Sequence, residues 1–173
     1  MRHLLTAVAL ALAASGAAAQ GAYPARAITI VVPNPPGGMN QITAQPLSAV
    51  IEKLFKQPAP VINKPGGTAA VGTAFIAQQK PDGYNLLVTT PNLYLVIEKN
   101  IAQNVESPYK LEQIQPIALT SADPLFFVVQ TESPWKTVKD FIAEAKAKDG
   151  QLTYSTSGPF GITHVPLAAF THA

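Results

Sequence analysis

The sequence predicts an α/β protein in which a parallel sheet is covered by helices. Strand-like and helix-like segments alternate along the first half of the chain, and this order is typical of a parallel sheet. The strand-like segments are continuous apolar runs, as expected for strands buried on both faces. The 173 residues include no cysteine, so a packed core rather than disulfide bonds must stabilise the fold.

Residues 1–19 are expected to be a cleavable signal peptide. Met1 to His3 is a short positive start, residues 4–14 are an apolar core, and residues 17–19 are three alanines that suit a cleavage site. Ser15 and Gly16 interrupt the apolar stretch, which is shorter than the roughly 20 residues needed to span a bilayer. The sequence therefore indicates export rather than membrane anchoring.

The charge of the chain argues against nucleic acid as a partner. Lys and Arg together number 12 and Asp and Glu number 10. Loss of Arg2 with the signal peptide leaves 11 − 10, a net charge of +1, and the sequence contains no basic block.

A first lobe, residues 20–121, is expected to contain most of the alternating elements. Strands are predicted at 27–33, 59–63, 84–90 and 114–119, and helices at 42–55, 68–79 and 92–100. In the first helix the apolar residues recur at steps of three and four. Pro46 lies early in this pattern and marks either a late helix start or a kink.

A second lobe, residues 122–173, is expected to begin after the turn at 121–124. Strands are predicted at 125–130 and 152–155, and a helix at 138–148 with Thr137 as its N-terminal cap. Residues 166–173 read as the middle of an apolar helix without a capping glycine or a polar tail. Since such a face needs a partner, we expect the chain to be truncated.

Residues 31–45, VVPNPPGGMNQITAQ, form a candidate anion site between a strand and a helix. Gly37 and Gly38 let the backbone adopt positive φ and let a ligand approach closely. The helix that follows begins with N–H groups that lack internal partners, and its dipole favours negative charge there. A carboxylate fits this arrangement without a lysine. The alternative is that the glycines only form a tight turn.

Residues 155–164, STSGPFGITH, form a second loop of the same character. Its small hydroxyl residues and glycines lead into a helix start and could present donors to an anion. The alternative is an ordinary loop rich in helix-capping side chains. Ser157 and His164 also suggest a hydrolase, but the GxSxG motif is absent and His164 follows Ser157 too closely for the usual triad order.

Nucleotide and metal sites are not expected. Neither GxxxxGK[ST] nor GxGxxG occurs at the glycine-rich turns. The three histidines, His3, His164 and His172, do not form a metal-binding pattern. No cofactor is therefore expected.

Several motifs, in order and spacing, make the sequence similar to the solute receptors of tripartite tricarboxylate transporters, the Bug family. They are YPAR at 23–26 with ITIVVP, PPGG at 35–38, NKPG at 63–66, PDGY at 81–84 with two leucines after it, SG at 157–158 and HVP at 164–166. The resemblance covers the whole chain after the signal peptide.

The resemblance implies a two-lobed, type II periplasmic-binding-protein fold that closes on a small organic carboxylate, with the second lobe incomplete because family members continue beyond this length. The implied ligand-binding residues are Gly37, Gly38, Met39, Asn40, Gln41, Thr90, Asn92, Ser157, Gly158, Gly161 and Thr163. Where this chain has Asn34, Gln41 and Gln45, the family often has an aromatic residue, an aspartate and an arginine, and loss of the aspartate disfavours amino-acid ligands.

The resemblance further implies a monomeric, periplasmic, non-enzymatic receptor that delivers its ligand to the membrane permease of a tripartite transporter. Two alternatives stay open from the sequence. One is a periplasmic sensor that signals to a membrane kinase, and the other is a secreted hydrolase that uses Ser157 and His164.

Overall fold

The structure is a computed structural model that describes residues 22–148 and 150–172, so the expected signal peptide lies outside the described residues. Its strands are β1 (Thr29–Val32), β2 (Val61–Asn63) and β3 (Asn85–Leu87). Its α-helices are α1 (Met39–Phe55), α2 (Ala70–Ala77), α3 (Asn92–Ala102), α4 (Val138–Ala147) and α5 (His164–Thr171). Short 3₁₀ turns span Gly67–Ala69 and Leu111–Gln113.

The three strands form a parallel sheet in the order β2-β1-β3, which confirms the predicted α/β class. Ile30 in the central strand pairs with Val61 on one side and with Leu86 on the other. Ile30, Val31 and Val32 have no exposed surface, and because successive side chains of a strand point to opposite faces, both faces of the central strand are covered. The core around them consists of Ile28, Ile30, Val32, Ala44, Ile51, Ala59 and Val88.

The helices α1 and α2 cover opposite faces of this sheet. α1 contacts β1 and β2, whereas α2 contacts β1 and β3. Right-handed connections that cross the sheet in opposite directions place their helices on opposite faces. α1 begins at Met39 and Pro46 lies inside it, so the late start that Pro46 suggested is wrong.

The chain before β1 is fixed to the turn before β3 at the amino end of the sheet. The hydroxyl of Tyr23 donates to the carbonyl of Gly83 at 2.7 Å, and the N–H of Ala25 donates to the Tyr84 hydroxyl at 2.8 Å. The Arg26 guanidinium lies 3.8 Å from the centre of the Tyr84 ring. These contacts lie at the sheet edge opposite to the glycine-rich loop that follows β1.

The strands predicted at 114–119, 125–130 and 152–155 are wrong, because these segments pair with no strand in the described part of the chain. A strand needs a neighbour that accepts and donates its backbone hydrogen bonds, and the described residues place none beside them. One apolar residue of the segment 125–130 packs against a helix instead of a strand. The ring centre of Phe127 lies 4.8 Å from that of Phe141 in α4. Phe126 and Val128 are 82% and 80% exposed.

The helix predicted at 138–148 is confirmed as α4, and Thr137 caps it as predicted. The N–H of Asp140 donates to the Thr137 hydroxyl at 3.2 Å, and the N–H of Thr137 donates to the Asp140 carboxylate at 2.8 Å. These hydrogen bonds, that from the Thr137 side chain first, lower the pKa of Asp140. The last helix, α5, begins at His164, two residues before the predicted apolar segment.

Candidate functional site

The candidate site lies at the carboxyl edge of the sheet, where the loops after all three strands meet. In a parallel α/β sheet, ligands bind outside the carboxyl ends of strands whose connections leave toward opposite faces. Here that point lies between β1 and β3: α1, which follows β1, covers one face, whereas α3, which follows β3, packs against α2 on the other face. The loop 33–38 follows β1 and the loop 88–91 follows β3, so both predicted first-lobe loops reach this point.

In the first loop, only one of the two glycines needs to be glycine for conformational reasons. Gly37 has φ of 86°, in the region that side chains disfavour. Gly38 has φ of −79° and ψ of 168°, an extended conformation open to any residue. The expectation of positive φ is therefore right for Gly37 and wrong for Gly38. A methyl group added at Gly38 would contact only the Pro35 carbonyl oxygen, at 3.6 Å.

Three successive backbone N–H groups at the start of α1 are available to a ligand. The N–H groups of Gln41 and Ile42 both donate to the Gly38 carbonyl. Those of Gly38, Met39 and Asn40 have no acceptor in the described part of the chain. The first turn of α1 contains no acidic residue, so its positive dipole end is not neutralised. This cluster can receive a carboxylate.

Two further asparagines hold this loop in place. The Asn40 side chain, only 8% exposed, donates through Nδ2 to Oδ1 of Asn34 at 2.6 Å. The Nδ2 of Asn63, at the end of β2, donates to the Asn34 backbone carbonyl at 2.9 Å. The Asn40 side chain is thus engaged in the loop itself. No sequence pattern indicated this role for Asn34, two residues after β1, or for Asn63, the last residue of β2.

The turn after β2 has four successive residues with positive φ. Gly66, Gly67, Thr68 and Ala69 have φ of 132°, 57°, 57° and 80°. The helix predicted from residue 68 therefore begins only at Ala70. Left-handed backbone costs a residue with a Cβ roughly 1–2 kcal/mol, so Thr68 and Ala69 are strained.

Thr68 lies against the second loop, a contact that sequence reasoning missed. A methyl group added at Gly158 would lie 3.6 Å from Thr68 Oγ1, and one at Gly161 would lie 3.5 Å from Thr68 Cγ2. The turn 66–69 also packs against α3. The sequence NKPGG at 63–67 is typical of a turn, but the positive φ of this turn and its contact with the second loop depend on tertiary structure.

Thr90 and Asn92, predicted from the loop after β3, lie together at the start of α3. The Asn92 N–H is 3.4 Å from the Thr90 hydroxyl oxygen. Asn92 is 5% exposed, and its Oδ1 accepts the backbone N–H of Ile162 at 2.8 Å. The structure therefore brings the second loop, residues 155–164, to the same sheet edge as the loops that follow β1 and β3.

Most backbone N–H groups of the second loop donate to acceptors within the loop itself. The N–H of Ser157 donates to the Thr163 hydroxyl at 2.9 Å, and their two hydroxyl oxygens are 2.8 Å apart. The N–H of Gly161 donates to the Gly158 carbonyl at 3.1 Å. The backbone N–H groups without an acceptor among the described residues therefore lie mainly in the first loop, and the second loop adds the hydroxyls of Ser157 and Thr163.

The hydrolase hypothesis finds no geometric support in the second loop. The Ser157 hydroxyl bonds to Thr163 rather than to a histidine. The Nδ1 of His164 accepts the N–H of Phe160 at 3.2 Å. Among residues 22–148 and 150–172, no group of three or more His, Cys, Asp or Glu residues is placed to hold a metal ion.

A surface depression of about 380 Å³ lies far from these loops. It is lined by Glu52, Lys56, Gln57 and Pro58, at the carboxyl end of α1. A 17-residue helix is roughly 25 Å long, so this depression is remote from the available N–H groups at the other end of α1. Within the part of the chain that is described, no helix is long and apolar enough to cross a membrane.

Comparison with known proteins identifies a receptor family. The tripartite tricarboxylate transporter family receptor (TctC) matches residues 42–173. The protein BugT of Bordetella pertussis is 30% identical over 98% of this chain and 53% of its own length. A protein encoded in the gbd 5′ region of Cupriavidus necator is 34% identical over 92% of this chain and 48% of its own. The chain thus spans about half the length of the curated relatives it matches.

Solved structures show the same fold. A periplasmic transporter protein has a TM-score of 0.70 and 30% identity, over 87% of this chain and 50% of its own. The protein MatC of Rhodopseudomonas palustris, solved with bound malate, has a TM-score of 0.72 and 22% identity over 87% and 50%. A second R. palustris protein, solved with adipate, has a TM-score of 0.66 and 21% identity over 86% and 49%. The last two likenesses concern the fold alone.

Proposed function

We propose that this chain, which belongs to the tripartite tricarboxylate transporter receptor family, captures a small organic carboxylate in the periplasm and delivers it to a membrane permease. The observation that carries the proposal is the row of three available N–H groups at Gly38, Met39 and Asn40. They lie at an uncompensated helix start and at the sheet edge where α/β proteins bind ligands. The two fold neighbours with malate and adipate support a carboxylate.

The first loop would bind one carboxylate group of the ligand. The carboxylate oxygens can only accept hydrogen bonds, and the consecutive N–H groups of the loop can only donate them. A bound carboxylate would therefore replace the water molecules that hydrate these N–H groups. Charge-assisted hydrogen bonds of this kind contribute about 1.5–3 kcal/mol each. Residues 33–38 of the first loop include no lysine or arginine, so selectivity there would depend on the geometry of these donors.

The rest of the predicted ligand shell would surround the other end of the ligand. Thr90 lies beside the first loop at the sheet edge, and the hydroxyls of Ser157 and Thr163 lie in the second loop. Both hydroxyls can donate as well as accept, which suits a second carboxylate or a hydroxyl group. Residues 20–121 and 122–173 would act as two lobes, and a ligand with higher affinity for the closed arrangement would shift the chain toward it.

A thermal-shift experiment tests this function. The chain is melted at fixed pH and salt with malate, adipate or citrate, and each acid is compared with its neutral amide or ester. Binding at about 100 times Kd should add roughly 2.7 kcal/mol to the free energy of unfolding. A shift with a carboxylate and none with its neutral analogue is the expected result. Cooperative melting that no carboxylate shifts would contradict the proposal.

A further inference from the structure

We propose that Asn92 is a positioning residue that latches the second loop onto the carboxyl edge of the sheet and thereby preorganises the site. Its Oδ1 accepts the backbone N–H of Ile162, a residue 70 positions later in the chain, at 2.8 Å. This inference rests on the proposed function for its effect on ligand affinity, but the latch itself can be measured without any ligand.

Burial makes Asn92 suited to this role. The residue is 5% exposed and is the first residue of α3, directly after the loop that follows β3. A buried amide oxygen without a partner costs free energy, so the Ile162 N–H is worth more there than a solvent-exposed donor would be. The side chain is therefore held in one orientation, with its oxygen toward the second loop.

The N–H of Ile162 joins the second loop to another element of the fold. The N–H groups of Ser157, Phe160 and Gly161 donate to acceptors inside the loop or at the start of α5. The N–H of Ile162, in contrast, donates to Asn92 on α3. The hydrogen bonds inside the loop fix its conformation, and the hydrogen bond to Asn92 fixes its position relative to the sheet.

A second contact places the loop at the same edge. Thr68, on the strained turn after β2, lies beside Gly158 and Gly161, where an added methyl group would come within 3.6 Å and 3.5 Å of its side chain. The glycines let the two loops approach closely, while Asn92 supplies the directional bond. Together they hold the Ser157 and Thr163 hydroxyls on the side of the sheet where the first loop offers its N–H groups.

The functional consequence is a gain in affinity without a direct ligand contact from the Asn92 oxygen. The apparent Kd equals the intrinsic Kd divided by the fraction of molecules whose binding walls are in place. Removing one hydrogen bond that maintains this arrangement should lower that fraction by about five- to tenfold. Asn92 would thus act through the second loop rather than as a ligand donor.

Amide hydrogen exchange of Ile162 in the ligand-free chain tests the latch directly. Asn92→Ala removes the acceptor, whereas Asn92→Asp keeps an oxygen at the same position. The matched control is Asn100→Ala, since Asn100 is also buried on α3, at 7% exposed, but lies two turns away. We expect Ile162 exchange to accelerate about five- to tenfold in Asn92→Ala and to stay unchanged or slow in Asn92→Asp and Asn100→Ala.

Malate and adipate titrations measure the consequence for affinity. Asn92→Ala should weaken binding by about five- to tenfold, and Asn100→Ala should leave it unchanged. Unchanged Ile162 exchange in folded Asn92→Ala would overturn the latch, as would accelerated exchange in Asn92→Asp if the alanine variant does not fold. If the unaltered chain binds no carboxylate, the proposed function fails, while the exchange rates still decide whether Asn92 is a latch.

Discussion

The side chain of Gln41 closes the first loop onto itself, because its Oε1 accepts the backbone N–H of Gly37 at 2.7 Å. Gly37 is therefore engaged within the loop, and the available donors begin at Gly38. The amide oxygen of Gln41 is also engaged, which leaves its Nε2 group as the donor of that side chain. A ligand group beside Gln41 should accordingly be an acceptor such as a carboxylate.

Gln41→Glu should separate stability from anion binding. A glutamate can still accept the Gly37 N–H, and a negative charge near the helix start stabilises the helix by about 0.3–1 kcal/mol. The same charge repels a bound carboxylate, so affinity for malate or adipate should fall by about tenfold. The measurements are a melting curve and a titration of the same variant.

The matched control for this charge is Gln45→Glu, one turn further along α1. Its carboxylate lies farther from the helix start, so both effects should be smaller, since they fall off within the first turn. Equal losses of affinity in the two variants would contradict a carboxylate site at the first loop, because distance would then not matter.

Gly38→Ala should be a clean probe of ligand approach. Gly38 is extended and the added methyl group has ordinary contact distance to the Pro35 carbonyl oxygen, so the free energy of unfolding should change by no more than about 0.5 kcal/mol. Carboxylate affinity should fall, because the methyl group lies beside the available N–H groups. Gly37→Ala should instead lose about 1–2 kcal/mol of stability, since φ there is 86°. If Gly38→Ala binds as tightly as the unaltered chain, the ligand does not approach at this glycine.

Several regular elements could be predicted from the sequence because their signals are local. β1 is a continuous β-branched run, α1 has helical apolar periodicity, and α4 has its capping threonine. The segment 125–130 has an equally strong strand signal but forms no strand. Strand propensity describes a residue's fit to a sheet, and no propensity supplies the neighbouring strand.

The position of the first loop could be predicted from the sequence, but the contacts inside the candidate site could not. Glycines after a buried strand indicated a loop between a strand and a helix, and the structure has this loop at 33–38, between β1 and α1. The contacts of Asn34 with Asn40 and of Asn92 with Ile162 join residues whose proximity depends on the completed fold. The turn at 66–69 shows the same limit, because threonine and alanine have no local preference for positive φ.

Thr68→Gly should stabilise the chain. Glycine removes the left-handed strain of roughly 1–2 kcal/mol but adds about 0.5–1 kcal/mol of backbone entropy to the unfolded state, so the net gain should be about 0.5–1 kcal/mol. Chemical denaturation at fixed pH measures this directly. A loss of stability would show instead that the Thr68 contacts with the second loop outweigh the strain.

Gly72→Ala should be strongly destabilising, because α2 approaches β1 at this residue. An added methyl group would lie 2.7 Å from the Pro33 Cβ and 2.8 Å from the Lys64 carbonyl oxygen. Since backbone must move to relieve these contacts, the free energy of unfolding should fall by about 1–3 kcal/mol or more. Val71→Ala, on the same helix at a residue 53% exposed, is the control and should change stability little. Similar melting of the two variants would refute the close helix–strand approach.

Tyr109→Phe should change how the stability of the chain depends on alkaline pH. The Tyr109 hydroxyl is buried and donates to the Leu93 carbonyl at 2.7 Å. Burial raises its pKa from 10.0 to about 12, although a hydrogen bond with the Thr73 side chain acts in the opposite direction. Between these two values the unfolded chain loses the tyrosine proton before the folded chain does. The stabilising effect is therefore complete below pH 10 and is lost as the pH rises toward about 12.

Denaturant unfolding at pH 8 and pH 11 tests this linkage. At pH 8 the Phe variant should be less stable by about 1 kcal/mol, because it lacks the hydrogen bond to Leu93. Between pH 8 and pH 11 it should lose less stability than the unaltered chain, because it has no phenol to ionise. Tyr94→Phe, at a residue 45% exposed on the same helix as Leu93, controls for general alkaline effects. Parallel losses in the unaltered chain and Tyr109→Phe would mean that the Tyr109 proton is not linked to folding.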